Sequence, residues 1–99
     1  MRRGSTQTLT LNTGIDCTNL DKLDVSFAQR NKVILSKTLS DCTVDGTNII
    51  VYLSEEDTLK FSSKNNPVQI QMRFGIGNER FASGIKYINI EGILKDGVL

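Results

Sequence analysis

The chain has 99 residues, 38% of them hydrophobic and 23% charged, and a formal net charge of +1. That composition fits a folded globular chain and excludes a disordered one, and the length fits one domain spanning residues 1–99. Near-neutrality excludes an electrostatic footprint for nucleic acid or an anionic membrane, so neither is an expected partner.

Taken in chain order, the dominant signal is period-two alternation of apolar and polar residues. It places successive side chains on opposite faces of a strand. Arg2 and Arg3 form a short basic start, read as solvated residues at a frayed terminus. The first strand covers Thr6 to Leu11 and is broken by Asn12-Thr13-Gly14. A second strand, Leu23 to Gln29, turns its Leu23, Val25 and Phe27 inward. Arg30-Asn31 is a tight turn in which Asn31 tolerates positive φ. The third strand, Lys32 to Thr38, contains the run Val33-Ile34-Leu35, whose buried face the pattern does not decide.

Cys42-Thr43-Val44 and Asn48 to Leu53 flank Asp45-Gly46-Thr47, a strong hairpin signal. Ile49, Val51 and Leu53 share one face of the fifth strand. Ile50 and Tyr52 share the other, which is more apolar than a solvent face needs. Asn48 to Leu53 is also the longest apolar run, far too short to cross a bilayer. No charged-then-apolar leader opens the sequence, so export is not expected.

Ser54-Glu55-Glu56-Asp57 reads as a helix start. Ser54 caps a free backbone N–H, and Asp57 reaches back to the N–H of Ser54. The expected product is one or two turns of helix crossing between sheets, with Leu59 and Phe61 dropping into the core. Residues 62–67 form a loop, and Pro67 suits the start of a strand because it lacks an N–H. Val68 to Phe74 is the cleanest alternation in the chain. Gly75 to Glu79 turns into a last strand from Phe81 to Ile90, whose pattern slips near Gly84, as a bulge would make it. The tail from Glu91 to Leu99 is apolar at Ile93, Leu94, Val98 and Leu99, with a break at 95–97. These elements predict an all-β, immunoglobulin-like antiparallel sandwich of about seven strands with one short helical crossover.

The chemistry-bearing motifs are sparse. Gly75-x-Gly77 lacks the third glycine of a dinucleotide fingerprint, since residue 80 is Arg80, and it precedes a strand. Glu55, Glu56 and Asp57 are consecutive and point in different directions, which suits capping better than cation binding. The sequence has no histidine, so Ser–His and Cys–His pairs are impossible. Ser36-Lys37 and Ser63-Lys64 are adjacent pairs whose side chains diverge on a strand. Cys17 and Cys42 are expected as reduced thiols, not as a disulfide or a zinc set. No catalytic residue, cofactor or metal is therefore expected, and the chain is read as a non-enzyme. The candidate interaction surface consists of apolar residues on second faces and at the chain end: Ile34, Ile50, Tyr52, Tyr87, Val98 and Leu99.

Three stretches together resemble a known group. They are the opening from Met1 to Thr8 with Arg2-Arg3-Gly4-x-Thr6, the crossover from Leu53 to Phe61 with Glu56-Asp57-Thr58, and the ending from Ile93 to Leu99 with Leu94-Lys95-x-Gly97-Val98. The chain resembles short proteins encoded in phage and prophage tail modules of Firmicutes, and its layout is similar to the N-terminal β-sandwich domain of phage upper baseplate proteins. It departs from them at Gln7, where many such chains carry Pro. The resemblance implies a structural role and partners among tail or baseplate proteins, with a homo-oligomer also expected. It implies residence in the bacterial cytoplasm during assembly and then in the virion tail. A carbohydrate- or surface-binding sandwich module is the alternative, distinguished by an exposed aromatic platform.

Overall fold

The computed structural model describes residues 1–64, 66–95 and 97–99. Asn65 of the expected 62–67 loop and Asp96 of the expected 95–97 break lie outside the described residues. Eight strands form among the described residues: β1 (Gln7–Asn12), β2 (Lys22–Gln29), β3 (Lys32–Thr38), β4 (Cys42–Asp45), β5 (Asn48–Leu53), β6 (Val68–Ile76), β7 (Glu79–Ala82) and β8 (Lys86–Ile88). A 3-10 turn, Leu39–Asp41, joins β3 to β4, and a short helix, α1 (Glu55–Leu59), follows β5.

The strands make two antiparallel sheets. One runs β1-β5-β4; the other runs β3-β2-β6-β7, with β8 also pairing to β6. If β1 is taken as strand B of an immunoglobulin-like sandwich, the sheets read B-E-D and C′-C-F-G. The immunoglobulin-like expectation holds in strand order. Among the described residues there is no counterpart of strand A.

Alternation sorts each strand between core and surface. Leu23, Val25 and Phe27 of β2 are buried, as are Val68, Ile70, Met72 and Phe74 of β6. Ile49, Val51 and Leu53 of β5 are fully buried and face them across the sandwich, with Leu11 of β1. Phe61, just past the helix, packs at 6.2 Å (ring centroids) from Phe27. Phe81 is half-buried and stacks on Phe74 at 5.1 Å.

Turn chemistry fixes the registers. Arg30 and Asn31 both sit at positive φ, 52° and 62°, between the paired Gln29 and Lys32. That is the conformation a two-residue hairpin requires. Only Asn31 is a residue suited to it. In the β4–β5 hairpin the two residues between Asp45 and Asn48 are Gly46 and Thr47, and Gly46 takes the positive φ of 60°.

Two irregularities revise the sequence reading. The expected last strand, Phe81 to Ile90, is two short strands. β7 pairs with the second half of β6 and β8 with the first half, and the registers differ by one extra residue on the β7–β8 side. The insertion falls at Gly84-Ile85, where the pattern slips. Ser83 keeps the ladder continuous through this gap: its N–H donates to the Met72 carbonyl (2.8 Å), and its hydroxyl accepts from the Met72 N–H (2.9 Å). A second bulge puts Ile34 as the extra residue between the Phe27–Leu35 and Ala28–Val33 pairs.

The crossovers close the two ends of the sandwich. At one end the 13–21 segment is tied to the β4–β5 turn by Thr13 N–H to Thr47 O and Cys17 N–H to Gly46 O. It buries Cys17 completely. Cys17 and Cys42 are both free thiols. At the other end Gln29 is buried and organises the loop before β6. Its amide donates to the carbonyls of Ser62 (2.7 Å) and Asn66 (2.8 Å), and its Oε1 accepts from Ser62 N–H (2.8 Å). Gln29→Ala orphans that backbone N–H and both carbonyls. We expect a loss of about 1–3 kcal/mol, the range for buried polar groups left unpaired, read from the urea midpoint.

Candidate interaction site

Helix α1 is short, so its ends must be satisfied from outside. The Ser54 hydroxyl accepts from Asp57 N–H (3.1 Å), and Asp57 Oδ2 accepts from Ser54 N–H (2.9 Å), the reciprocal box read from the sequence. Asp57 also accepts from Lys37 Nζ of β3 at 2.8 Å, in a pair that is nearly buried on both sides. One carboxylate therefore ties the helix start to the edge of the opposite sheet. Burial pulls the Asp57 pKa up. The hydrogen bond and charge of Lys37, with the bonds from Ser54, outweigh that, and the pKa is lowered.

The far end of the helix is held by the N-terminus. Arg3 donates through Nη2 to the Leu59 carbonyl (2.9 Å) and through Nε to the Phe61 carbonyl. Thr58 is fully buried, where Leu59 was expected; Leu59 is only half-buried, and Phe61 does enter the core. The Thr58 hydroxyl accepts from Gly4 N–H (3.0 Å) and donates to the Ser5 carbonyl (2.7 Å). Residues 1–3 also run beside the segment after β8. Arg3 N–H donates to Glu91 O, Glu91 N–H donates to Met1 O, and the Arg2 side chain reaches Gly92 O and the Glu91 carboxylate. Arg2 is solvated as read, but the terminus is not frayed and Arg3 is not a free solvated cation. The two arginines bond the helix and the C-terminal segment.

The opening, the helical crossover and the ending of the chain thus meet in space. The opening holds the helix through Arg3 and Gly4. The ending touches both, since Ile93 lies against Gly4 and Leu99 N–H donates to the Glu55 carboxylate. Gly4 has φ 76°, and a Cβ there would stand 2.9 Å from Ile93 Cδ1.

The predicted surface residues do not form one patch. Ile50 is half-buried and Tyr52 is 52% exposed on the outer face of the three-stranded sheet. Their cross-strand neighbours there are Thr8, Thr10 and Thr43. Tyr87, 60% exposed, lies on the outer face of the other sheet opposite Gln69. Val98 and Leu99 are exposed in the tail, near α1. Ile34 is half-buried and packs against the core. The bulge turns it inward, and Val33 is the exposed residue of that run.

The outer face of the five-stranded sheet also holds a shallow hollow of about 310 Å³, which the pattern did not single out. Its lining is mostly polar, Asp24, Ser26, Asn31, Gln69, Gln71 and Arg73, with Ala28, Val33 and Ile85 beside them. Gln69 and Asn31 exchange two hydrogen bonds of 2.8 Å, and the Ser26 hydroxyl donates to Asp24 (2.6 Å). The alternating Gln69-x-Gln71-x-Arg73 was the available signal. Among the described residues no group of three His, Cys, Asp or Glu side chains is placed to hold a metal ion. No helix among them is long and apolar enough to cross a membrane. Burial and the neighbouring Asp41 push the Cys42 thiol up, against a smaller opposing pull from Lys37, so it is a poor nucleophile at neutral pH.

Gly4→Ala forces a left-handed backbone onto a side chain that also meets Ile93. We expect it to cost about 1–3 kcal/mol in urea unfolding, in line with the strain of a non-glycine residue held there. The pH dependence follows from Asp57. A carboxylate with a depressed folded pKa lends stability that is full above its unfolded pKa and vanishes as pH falls through the folded one. Stability should decline from the ordinary aspartate range downwards, and Asp57→Asn should flatten that decline when urea midpoints are compared across acid pH. Asp16 and Asp41, also lowered by hydrogen bonds from Thr18 and Thr38, leave a residual slope. Comparison of the chain with protein-family models, with characterised proteins and with solved structures returned no match in any of the three.

Proposed function

We propose that this domain is a non-enzymatic assembly module of a phage or prophage tail, associated with the baseplate and acting through protein–protein contacts. The observation that carries the reading is the meeting of the three resembling stretches around α1, where Arg3, Gly4, Thr58 and Glu55 bond one another's segments. Exposed apolar residues line the same region in the tail, at Leu94, Val98 and Leu99. Exposed apolar groups of this kind gain from burial against a partner. Its partners are then other tail or baseplate proteins, met in the bacterial cytoplasm during assembly and retained in the virion tail.

A second reading is favoured by a different observation. Tyr87 stands exposed on the same sheet face as the polar hollow over Gln69, Gln71 and Arg73. An aromatic ring beside amide and guanidinium groups suits a carbohydrate or surface ligand.

The readings separate by experiment. Light scattering of the protein, alone and mixed with the products of its neighbouring genes, should show a mixed complex whose formation Leu99→Asp and Val98→Asp weaken. Absence of any such complex sinks the assembly reading. Glycan-array binding that is lost on Tyr87→Ala would replace it with the second.

A further inference from the structure

The sandwich has four strand edges, and three of them carry the features that keep edges from pairing. The edge strand β3 bears Lys32 and Lys37 and is bent by the Ile34 bulge. The edge strand β4 has four residues, ends in Asp45, and follows Asp41. The β7–β8 edge consists of two short pieces interrupted at Gly84, with Glu79, Arg80 and Lys86 along it. The fourth edge, β1, is different. Gln7-Thr8-Leu9-Thr10-Leu11-Asn12 has no charge, no proline and no bulge, and it pairs with β5 in unbroken register over all six residues. Among the described residues nothing pairs with its other side. That side is where strand A lies in an immunoglobulin-like sandwich. A groove of about 320 Å³ runs beside it, where Leu11, Ile70 and Met72 are reached between Thr10, Ser83 and Lys86.

We propose that the occupant of the β1 edge is the β1 edge of a second copy of this chain, paired antiparallel about a two-fold axis at Thr10. The strand is self-complementary in that register. Thr10 faces Thr10 of the second copy, Leu9 faces Leu11, and Thr8 faces Asn12. Hydroxyl and amide groups then meet on the outer face and leucines on the core face. Neither β1 strand brings a charge into the seam, and the interface is isologous and closes on itself. The two three-stranded sheets become one six-stranded sheet, and half-buried Leu9 is covered by a leucine from across the axis. Each strand supplies the main-chain ladder that the other lacks, the mode of β-strand addition. The pairing rests on the reading of the domain as an assembly module and names one of its partners.

The test uses the 99-residue chain with Cys42→Ser, to leave only the buried Cys17 as a native thiol. Directly opposed residues of an antiparallel pair have Cα atoms about 4.5–5.5 Å apart, within disulfide reach. Thr10→Cys is therefore expected to form a disulfide-linked dimer under mild oxidation, and Thr43→Cys, exposed on β4, is not. Thr10→Lys places two ammonium groups at the axis and should shift the monomer–dimer equilibrium several-fold towards monomer in sedimentation velocity, with an unchanged circular dichroism spectrum. A monomer at every concentration overturns the proposal. So does a dimer whose Thr10→Cys form crosslinks no faster than Thr43→Cys. Complexes with neighbouring gene products in the absence of self-pairing would sink this pairing and leave the assembly reading standing. Self-pairing without such complexes would support the seam and count against the tail role.

Discussion

Burial of one face of each sheet against the other is the interaction on which everything else in this molecule depends. Ile49, Val51 and Leu53 are completely removed from water, and so are Val25, Phe27 and Val68 across from them. Each such side chain contributes roughly 1.5–3 kcal/mol. The sum must offset the ordering of a 99-residue backbone, and the margin is narrow in a chain of this size. The sandwich therefore cannot leave its ends open. Three strands do not cover the face of five, and the non-strand segments make up the difference. The 13–21 segment covers one end with Cys17, and Phe61 with Thr58 covers the other.

Polar side chains decide how those covers are fastened. Gln29, Asp57, Thr58 and Arg3 each satisfy backbone groups that would otherwise be orphaned at a helix end or in a loop. Each is a single side chain serving two or three elements at once. A buried polar group that meets all its partners specifies one arrangement, because any alternative leaves it unpaired. The hydrophobic seam gives the domain its stability, and these four residues tie its non-strand segments to particular places in it.

Most of the fold was legible in the sequence. Period-two alternation and the Asp45-Gly46 hairpin signal located the strands, except that β6 runs on to Ile76 and β7 starts at Glu79, both inside the expected Gly75–Glu79 turn, and that β7 and β8 are divided. The Ser54–Asp57 spacing located the helix start. What escaped shares one physical cause: long-range partners leave no local trace. Arg3 reads as a solvated cation because the carbonyls it binds belong to residues 59 and 61. Thr58 looks like a surface helix residue until the N-terminal segment is laid over it. Ile34 sits in a continuous apolar run, and such a run carries no phase from which a bulge can be detected. The surface was less legible than the core, since Ile50, Tyr52 and Tyr87 can be assigned to outer faces but not to the same one. That requires knowing which sheet each strand joins.

The pinning of residues 1–3 beside residues 89–92 has a mechanical consequence. The two segments run parallel, joined through the Arg2–Glu91 bridge. The pair has exits at opposite ends, the Met1 amine on one strand and the chain after Gly92 on the other. Tension applied between the two exits would load their hydrogen bonds in shear, so that they share the force instead of opening one after another like a zipper. The clamp would then take the pull before the sandwich does, and the two sheets would stay closed while it holds.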